Sequence, residues 1–231
     1  FLSKGAGGSA EALFFDNLYR NARSFDPFFI KLGFAFILLG FGTKMGLAPM
    51  HAWLPDAHSE APSPISALLS GTLLNMACLG ILRAYKLMFL ADQAAFANTL
   101  LLILGFLSLF FSAAFIPKVK NYKKMLAYSS VENMGIIAIG VALGGPGLFA
   151  AVLHLIGHSL TKASFFLTAG NIMHNYGTKE VDGVGGLLRD NEKTGWLWFL
   201  SFVSLIGLPP FPLFLSEFLI VKQMVAAGWL V

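Results

Sequence analysis

Six apolar runs, each near the length that crosses a lipid bilayer, constrain this chain more than any other feature. They fall at about 28–48, 64–88, 96–116, 125–143, 147–175 and 195–227. A helix spans the hydrocarbon core with about 20 residues. In lipid the backbone has to satisfy its own hydrogen bonds, so such runs are helices. Only 12% of the residues are charged and 23 are Phe, whereas a soluble domain carries about 25% charged residues. The expectation is an all-α, polytopic transmembrane helix bundle. Residues 27–227 read as one membrane domain of about six spans, and residues 1–26 as a polar loop or linker. The chain opens on Phe1 and closes on an apolar stretch, and it reads as an internal piece of a longer protein.

The formal charge of +4 does not imply a nucleic-acid partner, because Lys and Arg collect in the loops between apolar runs. "KVKNYKK" (118–124) holds four lysines and is assigned to the cytoplasmic side by the positive-inside rule. Alternation places the loops after the first and fifth spans on that side as well. Cys78 is alone inside an apolar run, which rules out a disulfide within this sequence and a Cys-based cluster. "GAGGSA" (5–10) fits a loose dinucleotide-binding pattern, but no strand precedes it and no βαβ unit follows, so it reads as a loop. No motif for a haem, flavin or iron–sulfur centre is present, and no cofactor is expected.

Two spans are interrupted. "GFGTKMGLAPMHAWLPDAH" (40–58) carries Gly42, Gly46 and Pro49 beside Lys44, and "GLPPFPLFLSEF" (207–218) carries Pro209, Pro210 and Pro212 shortly before Glu217. Proline removes a backbone donor, and lipid tolerates the break only where the freed groups face protein or water. Being five spans apart, the two cross in opposite directions, so they read as broken helices related by an inverted repeat. Kinked packing helices are the plainer alternative.

Ionisable residues inside membrane spans are costly, about 2.5–3.5 kcal/mol each on insertion scales. Lys44, Glu132, His154, His158, Lys162 and Glu217 all fall at or near membrane depth. In "HLIGHSLTK" (154–162) the two histidines and the lysine stand at i, i+4 and i+8, so they share one helix face. Histidine exchanges protons near neutral pH, and a lysine kept from water moves towards the same range. The ladder therefore reads as a proton path, with snorkelling side chains or packing ion pairs as the plainer alternative. A metal site at "HLIGH" is disfavoured: the Glu of the zinc-protease helix is missing, and lysine is a poor third ligand.

Four motifs in order, "KMGLAPMHAWLPDAHSEAPSPISALLSG" (44–71), "KNYKKMLAYSSVENMGIIAIG" (120–140), "LHLIGHSLTKASFFLTAG" (153–170) and "GLPPFPLFLSEF" (207–218), resemble the antiporter-like membrane subunits. That superfamily is shared by respiratory complex I, multisubunit sodium/proton antiporters and membrane-bound hydrogenases. "LLSGTLLNMACLGILR" (68–83) and "AYSSVENMGI" look closest to the hydrogenase-4 and formate-hydrogenlyase branch. The resemblance implies the seventh to twelfth helices of a fourteen-helix subunit. Lys44 would be the broken-helix lysine, with His154, His158 and Lys162 as the connecting relay and Glu217 as the terminal group of the second half-channel. Two departures stand out. Ser70 and Asn75 occupy the region where complex I subunits often carry Lys or His, and Asn133 replaces the His of the branch's usual "SSIEH".

By resemblance the chain is a proton-translocating subunit without a redox centre. Its expected partners are the other membrane subunits of an energy-converting oxidoreductase complex and, through them, a redox arm. The expected location is a prokaryotic cytoplasmic membrane. Alternatives are a subunit of a sodium/proton antiporter, which would bring Na+ in place of or beside protons, a subunit of NADH-quinone oxidoreductase, or a structural anchor.

Overall fold

The computed structural model describes residues 14–228, so the glycine-rich stretch 5–10 lies outside the described residues. Helices account for nearly all of the fold, and no strand forms among the described residues. Among the described residues, five helical stretches are long and apolar enough to cross a membrane. Within 14–26, part of the stretch read as a loop, a short helix α1 (Phe15–Arg20) forms. It is held by the Tyr19 hydroxyl, which donates to the Arg83 carbonyl at 3.1 Å.

Helix α2 (Pro27–Met45) starts on Asp26, whose carboxylate accepts from the Phe28 and Phe29 amides. That carboxylate satisfies two of the donors a helix start leaves free. α2 stops at Gly46, which sits at φ 83°, the left-handed geometry only glycine adopts cheaply. After the break come α3 (Trp53–Glu60) and α4 (Ser63–Leu68), which runs through a π-helical turn (Leu69–Leu73) into α5 (Leu74–Leu90). α6 (Ala94–Phe115), α7 (Tyr122–Leu143) and α8 (Gly145–Tyr176) follow as continuous helices. At 32 residues, α8 is about 48 Å long, more than the hydrocarbon core requires, which leaves room for tilt or protrusion. The short α9 (Leu187–Asp190) leads to α10 (Glu192–Leu205) and α11 (Pro212–Ala226).

The expected break in the last span is therefore present, and it divides 195–227 into helices of 14 and 15 residues. The two breaks are finished differently. At the first, the Ala48 amide donates to Ser108 Oγ on α6 at 2.9 Å, and Trp53 Nε1 donates to the Thr43 carbonyl at 2.7 Å. These backbone groups at the break thus face protein, as lipid demands. Leu47 and Ala48 are fully buried there. At the second, Gly207 takes φ 66°, and Leu208 is largely exposed among the described residues.

α7 is the centre of the bundle. It packs between α6 and α8 and also touches α3 and α11, and buried residues occur on every side of it. A helix apolar all round is a buried one. Close approach to α6 depends on paired glycines: a Cβ on Gly135 would lie 2.8 Å from the Gly105 carbonyl oxygen, and one on Gly105 2.9 Å from that of Gly135. Small residues that let backbones approach are the usual packing device in lipid.

The three loops expected on one side of the membrane do meet. Asn121 caps α7 and donates to Ser59 Oγ at 3.2 Å. Lys123 Nζ reaches the Ala61 carbonyl at 2.6 Å, Lys124 pairs with Asp56 at 2.8 Å, and Lys179 lies 3.6 Å from Glu60. The Tyr122 amide donates to the Lys179 carbonyl. "KVKNYKK" thus ties the segment after the first break to the loop after α8.

Candidate functional site: a buried polar chain along α7 and α8

Lys162 is fully buried. Its Nζ donates to the Leu126 carbonyl at 2.6 Å and, in a short contact, to Ser129 Oγ, both on α7. Among the described residues, no carboxylate lies within 4 Å of it; every ion pair at that distance involves other lysines or arginines. The ammonium is therefore solvated by dipoles, not paired with a charge. Glu132, one turn beyond Ser129, is the carboxylate whose field reaches it. Glu132 is half-buried and lines a cavity of about 560 Å³ with Ser129, Leu126, Phe165, Trp198 and Phe202.

His154, two turns earlier on α8, is also fully buried. Its Nε2 lies 2.9 Å from Asn133 Oδ1, and its Nδ1 lies 2.9 Å from Ser216 Oγ on α11. Asn133 Nδ2 donates to the Ser129 carbonyl at 2.6 Å. Polar contacts thus run from Lys162 through Ser129 and Asn133 to His154 and Ser216, alongside the ladder face. His158, between the two, is fully buried with neither ring nitrogen partnered by protein.

Glu217 follows Ser216 on α11 and is half-buried. Its carboxylate rests against Gly207 of the break, in the space a Cβ there would occupy. Its field and that of Glu132 reach each other. Lys44 is placed apart: its side chain is exposed, with Nζ 5.8 Å from the centre of the Trp53 ring. Of the six residues singled out from the sequence, the fold brings Glu132, His154, His158, Lys162 and Glu217 to one connected region, and leaves Lys44 outside it.

His58 was not singled out. It is fully buried on α3, stacked on Phe166 at 4.5 Å and 10°, and both its nitrogens lack a protein partner. Electrostatically it faces Lys162 and His158. The signal was available, since His51 and His58 follow Pro49 and Pro55 within a broken span. Spacing alone could not show that His58 turns towards α8. Ser129 and Ser216 were hidden, because hydroxyl side chains are common glue between membrane helices, and Asn133 stood out as a departure without its partner being marked. Ser70 donates to or accepts from Ser130 at 3.0 Å, and Asn75 Nδ2 donates to Ser159 Oγ at 2.7 Å. The region without Lys or His is thereby tied to both α7 and α8.

A helical membrane bundle with broken helices and a line of buried ionisable groups defines a class: polytopic membrane subunits that carry charge-bearing side chains in their core. The NADH:quinone oxidoreductase/Mrp antiporter transmembrane family matches residues 8–231, and the chain belongs to it. It is 41% identical over 221 residues to a hydrogenase-4 component F homolog of Methylacidiphilum infernorum, covering 95% of this chain and 46% of that protein. It is 35% identical over 187 residues to NAD(P)H-quinone oxidoreductase chain 4 2 of Thermosynechococcus vestitus, covering 80% of this chain and 35% of that protein. The chain thus spans less than half the length of these relatives.

Among solved structures, a chain of an archaeal membrane-bound sulfane sulfur reductase superposes with a TM-score of 0.86 at 26% identity, over 96% of this chain and 45% of that one. A chain of respiratory complex I from Thermus thermophilus gives 0.76 at 30% identity, over 94% and 46%. The Mrp complex of Dietzia gives 0.79 at 26% identity, over 85% and 37%. These neighbours are subunits of multisubunit membrane complexes, so other membrane subunits are the kind of partner this family has.

Proposed function

We propose that this chain forms part of a proton-translocating, antiporter-like membrane subunit of an energy-converting oxidoreductase complex of the hydrogenase-4 or formate-hydrogenlyase type. Redox chemistry would take place in partner subunits, in a prokaryotic cytoplasmic membrane. Residues 27–227 supply its membrane domain, and Lys162, His158, His154, Glu132 and Glu217 supply its proton sites. Lys44, exposed in this structure, is assigned to the same function on the resemblance of its broken-helix motif alone.

The observation that carries the reading is the state of Lys162. A lysine locked in a structural ion pair would touch a carboxylate. This one is held only by a carbonyl and a hydroxyl, with Glu132 near enough to bias its charge and not near enough to lock it. Such a group can gain and lose a proton as neighbouring charges change. The likeness to the hydrogenase-4 homolog supports the choice of complex.

The test is Lys162→Met in the full-length protein within its complex. A methionine keeps the length and loses the charge, and removing a buried charge altogether is often tolerated by packing. The expected result is an assembled complex whose proton pumping in proteoliposomes falls by about tenfold or more. Pumping at the wild-type rate would overturn the reading. The likeness to the Mrp complex favours a second reading, sodium/proton exchange without redox coupling. It predicts sodium-dependent proton movement in vesicles that lack any electron donor.

A further inference from the structure

Asn133 and Ser216 grip the two nitrogens of His154 from opposite sides, and their own bonds fix which nitrogen bears hydrogen. Asn133 Nδ2 points at the Ser129 carbonyl at 2.6 Å, an acceptor with no hydrogen to give. The amide is therefore oriented with Oδ1 towards His154 Nε2 at 2.9 Å. An amide oxygen only accepts, so Nε2 carries hydrogen whether the ring is neutral or charged. The neutral ring then bears its free lone pair on Nδ1, 2.9 Å from Ser216 Oγ.

Ser216 has one hydroxyl hydrogen and three acceptors within reach. These are His154 Nδ1, the Leu213 carbonyl at 2.9 Å and the Pro212 carbonyl at 3.1 Å. With a neutral ring the hydroxyl donates to Nδ1. With a charged ring Nδ1–H donates to Oγ, and the hydroxyl hydrogen turns to the carbonyls of the first turn of α11. Both arrangements satisfy every buried polar atom of the three side chains with the same heavy-atom positions. Burial makes that satisfaction count, since an unpaired buried group costs about 1–3 kcal/mol.

We propose that Asn133 and Ser216 are positioning residues that hold His154 as the Nε2–H tautomer and make Nδ1, facing α11, its sole proton-exchanging nitrogen. This rests on the proposed function and deepens it. Uptake breaks one O–H bond of a hydronium ion and forms one N–H bond at Nδ1, leaving water and converting imidazole to imidazolium. Release reverses this: the Nδ1–H bond breaks as an O–H bond forms on a water molecule. The exchanging face of His154 is thereby turned to the helix that carries Glu217, and its Nε2 face, towards Asn133, is closed.

The test uses the full-length protein in its complex, labelled with 15N-histidine, in proteoliposomes. The His154 signals are assigned by their loss in His154→Gln. Nitrogen shifts should report the Nε2–H tautomer in the wild type and a mixture including Nδ1–H in Asn133→Leu. Ser216→Ala should lower proton transport about tenfold, while Ser216→Thr, which keeps the hydroxyl, should retain most of it. A wild-type Nδ1–H tautomer would overturn the proposal whatever the variants do. So would Ser216→Ala pumping at the wild-type rate while Lys162→Met does not, an outcome that leaves the broader reading standing. If Lys162→Met and Ser216→Ala both pump normally, the broader reading falls with it.

Discussion

The Nζ of Lys162 lies 2.6 Å from the carbonyl oxygen of Leu126, on the neighbouring helix α7. That carbonyl also accepts from Ser129 Oγ at 3.0 Å and Ser130 Oγ at 3.2 Å. Three donors converge on one backbone oxygen at the site where a positive charge is buried. A backbone dipole can stabilise an ammonium without fixing its protonation, because it carries no net charge of its own.

Ser129→Ala removes the second partner of Lys162 and leaves the Leu126 carbonyl. A hydrogen bond to a charged group contributes about 1.5–3 kcal/mol, so the complex should lose stability of that order. Ser129→Thr should hold close to the wild type. Thermal unfolding of the detergent-solubilised complex checks both. Equal melting of Ser129→Ala and the wild type would mean that the hydroxyl does not solvate the charge.

His58→Phe separates function from packing. The ring shape that stacks on Phe166 is kept, while two buried nitrogens without protein partners are removed. Exchanging polar atoms that no protein group partners for apolar ones of the same shape is near neutral. The variant should therefore melt close to the wild-type temperature, and its proton transport should fall. A stable variant with undiminished transport would assign His58 to packing alone.

Gly207→Ala should disturb Glu217 directly. The residue sits at φ 66°, where a side chain costs about 1–2 kcal/mol, and the new methyl would occupy the place of the Glu217 carboxylate. Lower stability and lower transport are both expected. Gly33→Ala on α2, where a Cβ meets nothing within 4 Å, serves as the control and should leave transport unchanged.

Gly135→Ala tests the α6–α7 contact. The added methyl would lie 2.8 Å from both the Gly105 carbonyl and Ser108 Cβ, so the helices must separate. Overpacking of this kind costs about 1–3 kcal/mol. Reduced thermal stability, with faster amide exchange along α6 and α7 than in the wild type, is the expected readout.

The helical architecture was legible because it follows from length and hydropathy: the expected run 125–143 became Tyr122–Leu143, and 147–175 became Gly145–Tyr176. Both helix breaks were visible as Gly/Pro clusters, since those residues carry their backbone geometry with them. Periodicity placed His154, His158 and Lys162 on one face, and burial followed. What lies across from that face was not legible. Ser129, Asn133, Ser216 and His58 come from three other helices, and nothing in their own neighbourhoods marks them as partners. The position of Lys44 was also hidden: its depth along α2 is set by sequence, but which side it faces depends on how α2 packs on α5.

The account depends on water reaching the buried chain, and a cryo-electron microscopy map of the full complex sharp enough to resolve ordered water tests it most directly. Four ring nitrogens, on His58 and His158, lack protein partners, and buried polar groups in that state are normally satisfied by ordered water. The account predicts density for water within hydrogen-bond distance of these nitrogens, continuing towards Lys162 and Glu132. Apolar side chains closed against both rings, with no water between them and Lys162, would contradict it.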